Sequence, residues 1–441
     1  MSLMASGFGC TVLIAALTLV GTAAPAPPPK AAAPEPPPTL AADRVDAAIQ
    51  AGAAFLVTQQ QPNGAIADTA RFPTALTSLA GLALLGAGHS PVDKSPEGVA
   101  LRRAIYFVLR ADRQTADGYF GSADASVMHG HAVTTLFLCE LARRNFDPEQ
   151  DDLIRRKATA GHNFILTAQG AAKAVRGDIG GWRYRPDARD SDMPVTAWQL
   201  LALHAGAKAG FSVPPRNGQA AAQYLKNVFA AGQGVFDYGP KPVLVSVATE
   251  ARQWTTTNVL RRLISRRPVL ASGPRGGTCY ECHYQTLGTN IVDHYVPPNP
   301  NWFRPPDSML QPGGPRNHFS TSAMGLLGLR ICGQPGVPEA RLAANFLLDW
   351  MRLDPAAKTI ATGAWPFHGT LFNTLALHNF TEPHASLARQ FAERNFVVGQ
   401  APDGSWTDGY EGRHIGRVYC TSLALLSLEA KHRRLAIFEV P

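Results

Sequence analysis

Charge and cysteine are both scarce in this chain. Asp, Glu, Lys and Arg make up only 17% of its 441 residues. With 45% apolar residues beside that low charge, the composition excludes a disordered chain, a coiled coil and a collagen-like fibre. Six cysteines are too few for a disulfide scaffold at this length. Aromatics stand at 8%, and β-branched residues seldom alternate with polar ones, so strand signals are weak. No recognisable nucleic-acid motif is present. The net charge of +8 is spread out, and its compact runs, Arg261-Arg262, Arg266-Arg267 and Lys431 to Arg434, read as solvated faces. Nucleic acid is therefore not an expected partner.

Glycine (40) and proline (35) are plentiful, which signals many loops. The length suits two or three domains or one large repeat architecture. Residues Cys10 to Ala24 form an apolar run ending in small residues, the pattern of a secretory signal peptide over 1–24. The run is short for a membrane span, which needs about 20 apolar residues. No Lys or Arg precedes it, so an uncleaved leader anchoring the protein to a membrane is the alternative. Either way the chain is expected to be exported to a periplasmic or extracellular space, with association to a membrane surface as a secondary reading. Eight prolines between Pro25 and Pro38 make residues 25–41 an extended linker.

From residue 42 to about 432 one pattern recurs six times. An amphipathic helix leads into a glycine turn, and an apolar helix rich in Ala, Leu and Gly follows. The turn glycines fall at Gly64, Gly118, Gly181, Gly234, Gly363 and Gly404. In the fourth copy the second helix is delayed to Ser320–Gly333 by an insertion over 241–316. A helix that is apolar nearly all round must be buried. Six buried helices ringed by six amphipathic ones predict an all-α closed double barrel, with an open solenoid as the alternative.

Three stretches carry a family resemblance. They are Ala54-Phe55-Leu56 with Gln59-Gln60 and Asn63-Gly64, then Gln400-Ala401-Pro402-Asp403-Gly404-Ser405-Trp406, then the helix beginning Tyr419-Cys420-Thr421-Ser422. These resemble the repeats of the squalene cyclase and protein prenyltransferase superfamily. The resemblance implies an α/α toroid with inner and outer helix rings. It also implies an isoprenoid or other apolar ligand in the barrel, bound or transformed in a cyclase-like or transferase-like way.

In such a toroid the residues just before the second helices converge at one mouth. They are His129 and His131, Asp190 and Asp192, His318 and Ser320, His368, and Arg417 and Tyr419. The helix ends aim free N–H groups and a positive dipole end at that mouth, so a liking for anions is expected there. Squalene-hopene type cyclases carry Asp-Xaa-Asp-Asp-Thr at an inner helix start, where the middle aspartate is a protonated acid. Here Asp190-Ser191-Asp192 matches two of those carboxylates, Met193 replaces the next, and Thr196 lies further on. Asp190 and Asp192 are thus candidate catalytic residues, against a plain helix cap beside Pro194. His129 and His131 are the candidate metal-binding or proton-handling pair, against caps and core hydrogen bonds. In the prenyltransferases a zinc-ligating His lies three residues before a Tyr-Cys pair. Here that position is Gly416, with His414 two residues off, so no zinc is expected at it. A carbohydrate-active barrel would need two carboxylates on facing loops, and no convincing pair is seen.

The insertion holds Cys279-Tyr280-Glu281-Cys282-His283, the C-x-x-C-H attachment signature of c-type haem. The two thiols would bind the haem vinyl groups and His283 the iron, with Met309 or His294 as the opposite ligand. Two other readings stay open: a small Cys279–Cys282 disulfide or free thiols, or a structural zinc on Cys279, Cys282, His283 and His294. A non-catalytic exported toroid with a haem or redox insertion is accordingly the alternative to an isoprenoid enzyme.

Overall fold

A computed structural model of the protein describes residues 42–146, 148–231, 234–239, 286–287, 290–291, 318–353, 365–408 and 410–441. Its principal helices are α1 (Ala42–Thr58), α2 (Pro73–Ala87), α3 (Pro96–Leu109), α4 (Val127–Ala142), α5 (Pro148–Gln169) and α6 (Met193–Lys208). They continue as α7 (Pro215–Asn227), α8 (Phe319–Ile331), α9 (Pro338–Leu353), α10 (Pro366–Leu377), α11 (His384–Gly399) and α12 (Arg417–Leu428). Proline opens several of them, where its missing N–H costs nothing and its fixed φ suits the first turn. Two-residue strands, Phe229–Ala230 and Val235–Phe236, pair antiparallel after α7. Among the described residues no helix is long and apolar enough to cross a membrane.

The even-numbered helices are buried almost throughout. They pack in sequence order, α2 on α4, α4 on α6, and so on to α12, which returns to α2. The ring is therefore closed. The odd-numbered helices lie outside it. α1, α5 and α11 each bridge two neighbouring inner helices. This is the α/α toroid that the helical pattern and the resemblance predicted, and the solenoid alternative falls because the last inner helix meets the first.

A repeated clamp joins one outer helix to the next. Gln60 Nε2 donates to the carbonyls of Gly64 and Ala100, and Gln114 Nε2 to those of Gly118 and Lys157. Gln169 Nε2 donates to Gly180 and Asn217, and Gln400 Nε2 to Gly404 and Ala48. Each of these glycines has φ between 85° and 100°. A Cβ at Gly118 would lie 2.4 Å from the Ala160 carbonyl oxygen, and one at Gly404 2.2 Å from that of Ala51. Glycine is thus required twice over, by φ and by the approach of the neighbouring helix. In the third copy the clamped residue is Gly180 and not Gly181, since Gly180 has the positive φ of 98°.

Two residues beyond five of the turn glycines a backbone N–H donates into the following inner helix; Gly363 lies outside the described residues. Ile66, Trp182 and Trp406 donate to the hydroxyls of Thr77, Thr196 and Thr421, and Phe236 to that of Ser322. In the second copy Phe120 donates to His131 Nδ1 instead.

The end of the barrel at the inner helices' C-termini is closed by the chain's own last residues. Leu435, Ala436, Ile437, Phe438 and Val440 are buried there. Ala436 N–H donates to Glu140 on α4, and the Ala436 carbonyl lies 3.1 Å from His204 Nε2 on α6. Arg330 of α8 donates to the Pro441 carbonyl, and Asn379, just past α10, to those of Phe438 and Val440. The chain beyond residue 432, which the repeat pattern had left outside the toroid, is part of the same body.

Candidate functional site

With one end stopped, the mouth at the N-terminal ends of the inner helices is where chemistry-bearing residues meet. The loop from Gly180 to Asp192 folds back so that Trp182 and Asp192 pair antiparallel. That bridge sets Arg183 beside both acids. Arg183 Nε donates to Asp190 Oδ2 at 3.0 Å, and Nη1 donates to Asp192 Oδ2. Tyr238 Oη donates to Asp192 Oδ2 at 2.6 Å, and Tyr184 Oη lies 3.2 Å from Tyr238 Oη. Asp192 Oδ1 caps α6 by accepting the Val195 N–H at 2.8 Å. The Arg183 guanidinium also lies over the Tyr184 ring, 4.5 Å from its centroid.

The cap expected as the simpler role for Asp192 is therefore observed, and it comes with a buried ion pair. Burial raises the Asp190 carboxyl above its ordinary range, and the Arg183 charge opposes that shift. Burial would lower the Arg183 pKa, but Asp192, Tyr238, Tyr184 and Asp190 together outweigh it and the pKa moves up. Both Asp192 oxygens accept hydrogen bonds. Acting as a proton donor would require a hydrogen on an oxygen already engaged by Arg183, Tyr238 or Val195.

His129 and His131 part company. Two residues along a helix turn the side chain by about 200°. His129 is half-buried at the mouth, its ring 5.3 Å from that of Tyr184, and burial lowers its pKa, with the Asp192 charge opposing. His131 is fully buried on the far side of α4 among Tyr119, Phe120 and Phe164. Burial pulls it down to about 3. It fills the position that Thr77, Thr196, Ser322 and Thr421 fill in the other copies. The structure does not bring it to the other candidates.

His368, the third residue of α10, does reach the centre. Trp198 of α6 donates its indole N–H to His368 Nε2 at 2.9 Å. Phe372 packs against both rings. α8 separates α6 and α10 in the ring, so this contact spans the bore. Burial pulls His368 down to about 3, and charge on His129 acts in the same direction. Ser320 lies against Gly369 beside it. His318 is turned to the Phe236 carbonyl and the Asp237 carboxylate. Tyr419 is half-buried, and burial, reinforced by Glu411, raises its hydroxyl pKa. The Arg417 side chain turns away to Asp403 and Ser405 in the last glycine turn.

At five of the six inner helices the N-terminal N–H groups are not left free as expected, because another connector supplies acceptors for them. Asp124 accepts from Thr74 and Ala75 of α2, and Asp68 from Arg417 and Val418 of α12. Glu411 accepts from Phe367 and His368 of α10, although its own burial raises its pKa well above the usual range. Backbone carbonyls of Tyr184 and Tyr238 take the Met128 N–H of α4 and the Met193 N–H of α6. Three of these five caps are acidic, so the helix dipoles are already answered and the mouth gains little pull on anions.

Arg183, Tyr184, Tyr238, Trp198 and Glu411 were not singled out in the sequence. The nearest signal was electrostatic: two acids before a buried helix need a buried cation. Cys279, Cys282, His283, His294 and Met309 lie outside the described residues. Among the described residues no group of three or more His, Cys, Asp or Glu could hold a metal ion.

No protein-family profile matches the chain, and no curated protein matches it. Solved structures do. The GH76A α-1,6-mannanase of Salegentibacter sp. HEL1_6 aligns with a TM-score of 0.51 at 8% identity, over 88% of this chain and 99% of that one. The apo structure of the type II terpene cyclase MstE from Scytonema aligns with a TM-score of 0.44 at 14% identity, over 89% and 100%. At such identities the likeness shows the α/α toroid fold alone.

Proposed function

We propose that the protein is an exported toroid that binds an uncharged, largely apolar ligand of the isoprenoid class at the mouth formed by the N-terminal ends of its inner helices, and acts on it there. The observation that carries this reading is that the mouth's buried cation, Arg183, is already taken up by two carboxylates while its walls are aromatic. Arg183 is committed to Asp190 and Asp192, and burial lowers the pKa of His129 and takes that of His368 to about 3. Tyr184 and Tyr238 line one side. Trp365 and Tyr410, with ring centroids 5.2 Å apart, stand at another, and Trp198 and Phe372 lie deeper. Such a surface rewards apolar contact and gives little to an ionic headgroup. The apolar leader supports export, and the repeat resemblance supports the isoprenoid class. Asp192 serves here to hold Arg183 and α6 in place.

The test is titration of detergent-dispersed geranylgeraniol and squalene, read by intrinsic tryptophan fluorescence, with product analysis after long incubation. Mannotriose is titrated in parallel. Saturable binding of the isoprenoids is expected. A response to mannotriose with none to the isoprenoids would overturn the reading.

A second reading concerns the insertion and rests on the spacing of Cys279, Cys282 and His283. These residues would attach a c-type haem, with Met309 or His294 opposite His283. Protein exported from cells that carry haem-attachment machinery should then keep its haem absorbance through acid–acetone extraction. The Cys279→Ala, Cys282→Ala double variant should be colourless. Colourless wild-type protein removes the haem.

A further inference from the structure

Trp198 fixes where the hydrogen of His368 sits. An indole N–H can only donate, so the 2.9 Å contact makes His368 Nε2 the acceptor. A neutral imidazole that accepts at Nε2 carries its hydrogen on Nδ1. The ring is neutral because burial takes its pKa to about 3. It is also held in orientation, stacked at 5.9 Å on Trp198 and edge-on at 4.8 Å to Phe372. Its backbone is pinned as well, since the His368 N–H donates to Glu411. Rotating the ring to present the other nitrogen would break the indole bond and leave a buried donor unpaired. The side chain is not sealed off. His368 keeps 6% of its surface exposed, on the inner wall where the half-buried His129 also stands.

We infer that His368 Nδ1–H is a binding group that recognises a neutral oxygen acceptor, such as a carbonyl, ether or epoxide oxygen, on an otherwise apolar ligand, and that Trp198 is its positioning residue. The inference rests on the apolar-ligand reading above and narrows it. A plain hydrocarbon leaves the donor unanswered. A diphosphate would need cationic partners, and Arg183 is already shared between two carboxylates. An oxygen acceptor answers the donor without bringing charge into the aromatic wall. Because the imidazole does not ionise near neutrality, it offers the same donor across the physiological pH range.

Two measurements test this. Nitrogen-15 spectra of histidine-labelled wild-type protein should show His368 as the Nδ1–H tautomer, unchanged between pH 5 and 8. In Trp198→Phe that signature should give way to the other tautomer or to a titration. Binding is then compared between a C20 isoprenoid aldehyde, which can only accept, and the hydrocarbon of the same skeleton. The aldehyde should bind about fivefold or more tightly to the wild type. In His368→Phe the ratio of the two affinities should fall to near one. An Nε2–H tautomer in the wild type, equal affinity for the two ligands, or a ratio unmoved by His368→Phe would overturn the inference while leaving the apolar-ligand reading in place. If neither ligand binds, both fall. The wild-type spectrum and the wild-type ratio need no variant to fold.

Discussion

Gln400 Nε2 donates to the carbonyl oxygen of Ala48, 352 residues earlier in the chain, at 2.9 Å. The same amide nitrogen holds the Gly404 carbonyl, also at 2.9 Å. This clamp matches those at Gln60, Gln114 and Gln169, but it alone among the four runs backwards, from the last copy to the first. It is the hydrogen-bonded seam at which the outer ring closes.

Gln400→Ala should therefore lower stability by about 1–3 kcal/mol, the cost of two lost bonds and two carbonyls left without their donor. Gln59→Ala is the control, since the Gln59 side chain donates to the neighbouring Thr58 hydroxyl on the exposed surface and its loss should change stability by no more than about 0.5 kcal/mol. Urea unfolding of the three proteins reads the difference. Equal losses for Gln400 and Gln59 would show that the seam adds nothing.

Arg183→Met should be far more damaging. It leaves Asp192, fully buried, and Asp190, nearly so, without their cation. Breaking a buried ion pair from one side costs about 3–5 kcal/mol. The double variant Arg183→Met, Asp192→Asn should recover part of that loss, because it removes the stranded charge. A double-mutant cycle measured by denaturant unfolding tests this, and strict additivity would contradict the ion-pair account.

Glu429 makes stability depend on pH. It is fully buried at the end of α12, neither oxygen has a hydrogen-bond partner among the described residues, and burial raises its pKa well above normal, opposed by the Arg434 charge. A carboxyl whose folded pKa exceeds its unfolded value binds its proton more tightly when folded. The stability this contributes is full below the unfolded value of about 4.3 and is lost as pH climbs towards the folded value. Glu429→Gln has no such proton to lose. Its stability relative to wild type should rise between pH 5 and pH 8. A difference that does not change with pH would show that the carboxyl is solvated or paired in solution.

Some of the architecture was legible in residue order because burial leaves a local mark. The inner helices α2, α4 and α12 are apolar around their whole circumference, so they could be nothing but a core. The delayed fourth partner was legible for the same reason, and α8 begins at Phe319. The histidines were not separable in this way. His129 and His131 are the same residue type two positions apart, and only the helical rotation sends one to the mouth and the other to the wall. A faint signal existed: when the copies are superposed, position 131 falls where Thr77, Thr196, Ser322 and Thr421 stand. The caps that come from other connectors left no local signal, unlike the Asp192 cap of α6. Asp124 accepts from α2 across about 50 residues and Asp68 from α12 across about 350, so no short window contains both partners.

The low charge that first set this chain apart was enough, with its apolar helices, to determine a helical core built from repeats and the turns that punctuate it. Periodicity is local, and local patterns survive in sequence. What the tertiary structure decided was which charges meet. It set Arg183 between Asp190 and Asp192, filled the helix ends with acids from the next connector, and laid residues 435–440 across the far end of the barrel. Those pairings depend on ring closure, which brings together residues that no sequence spacing relates. They turn a mouth expected to attract anions into one whose buried cation is already held by carboxylates and whose walls carry aromatic rings.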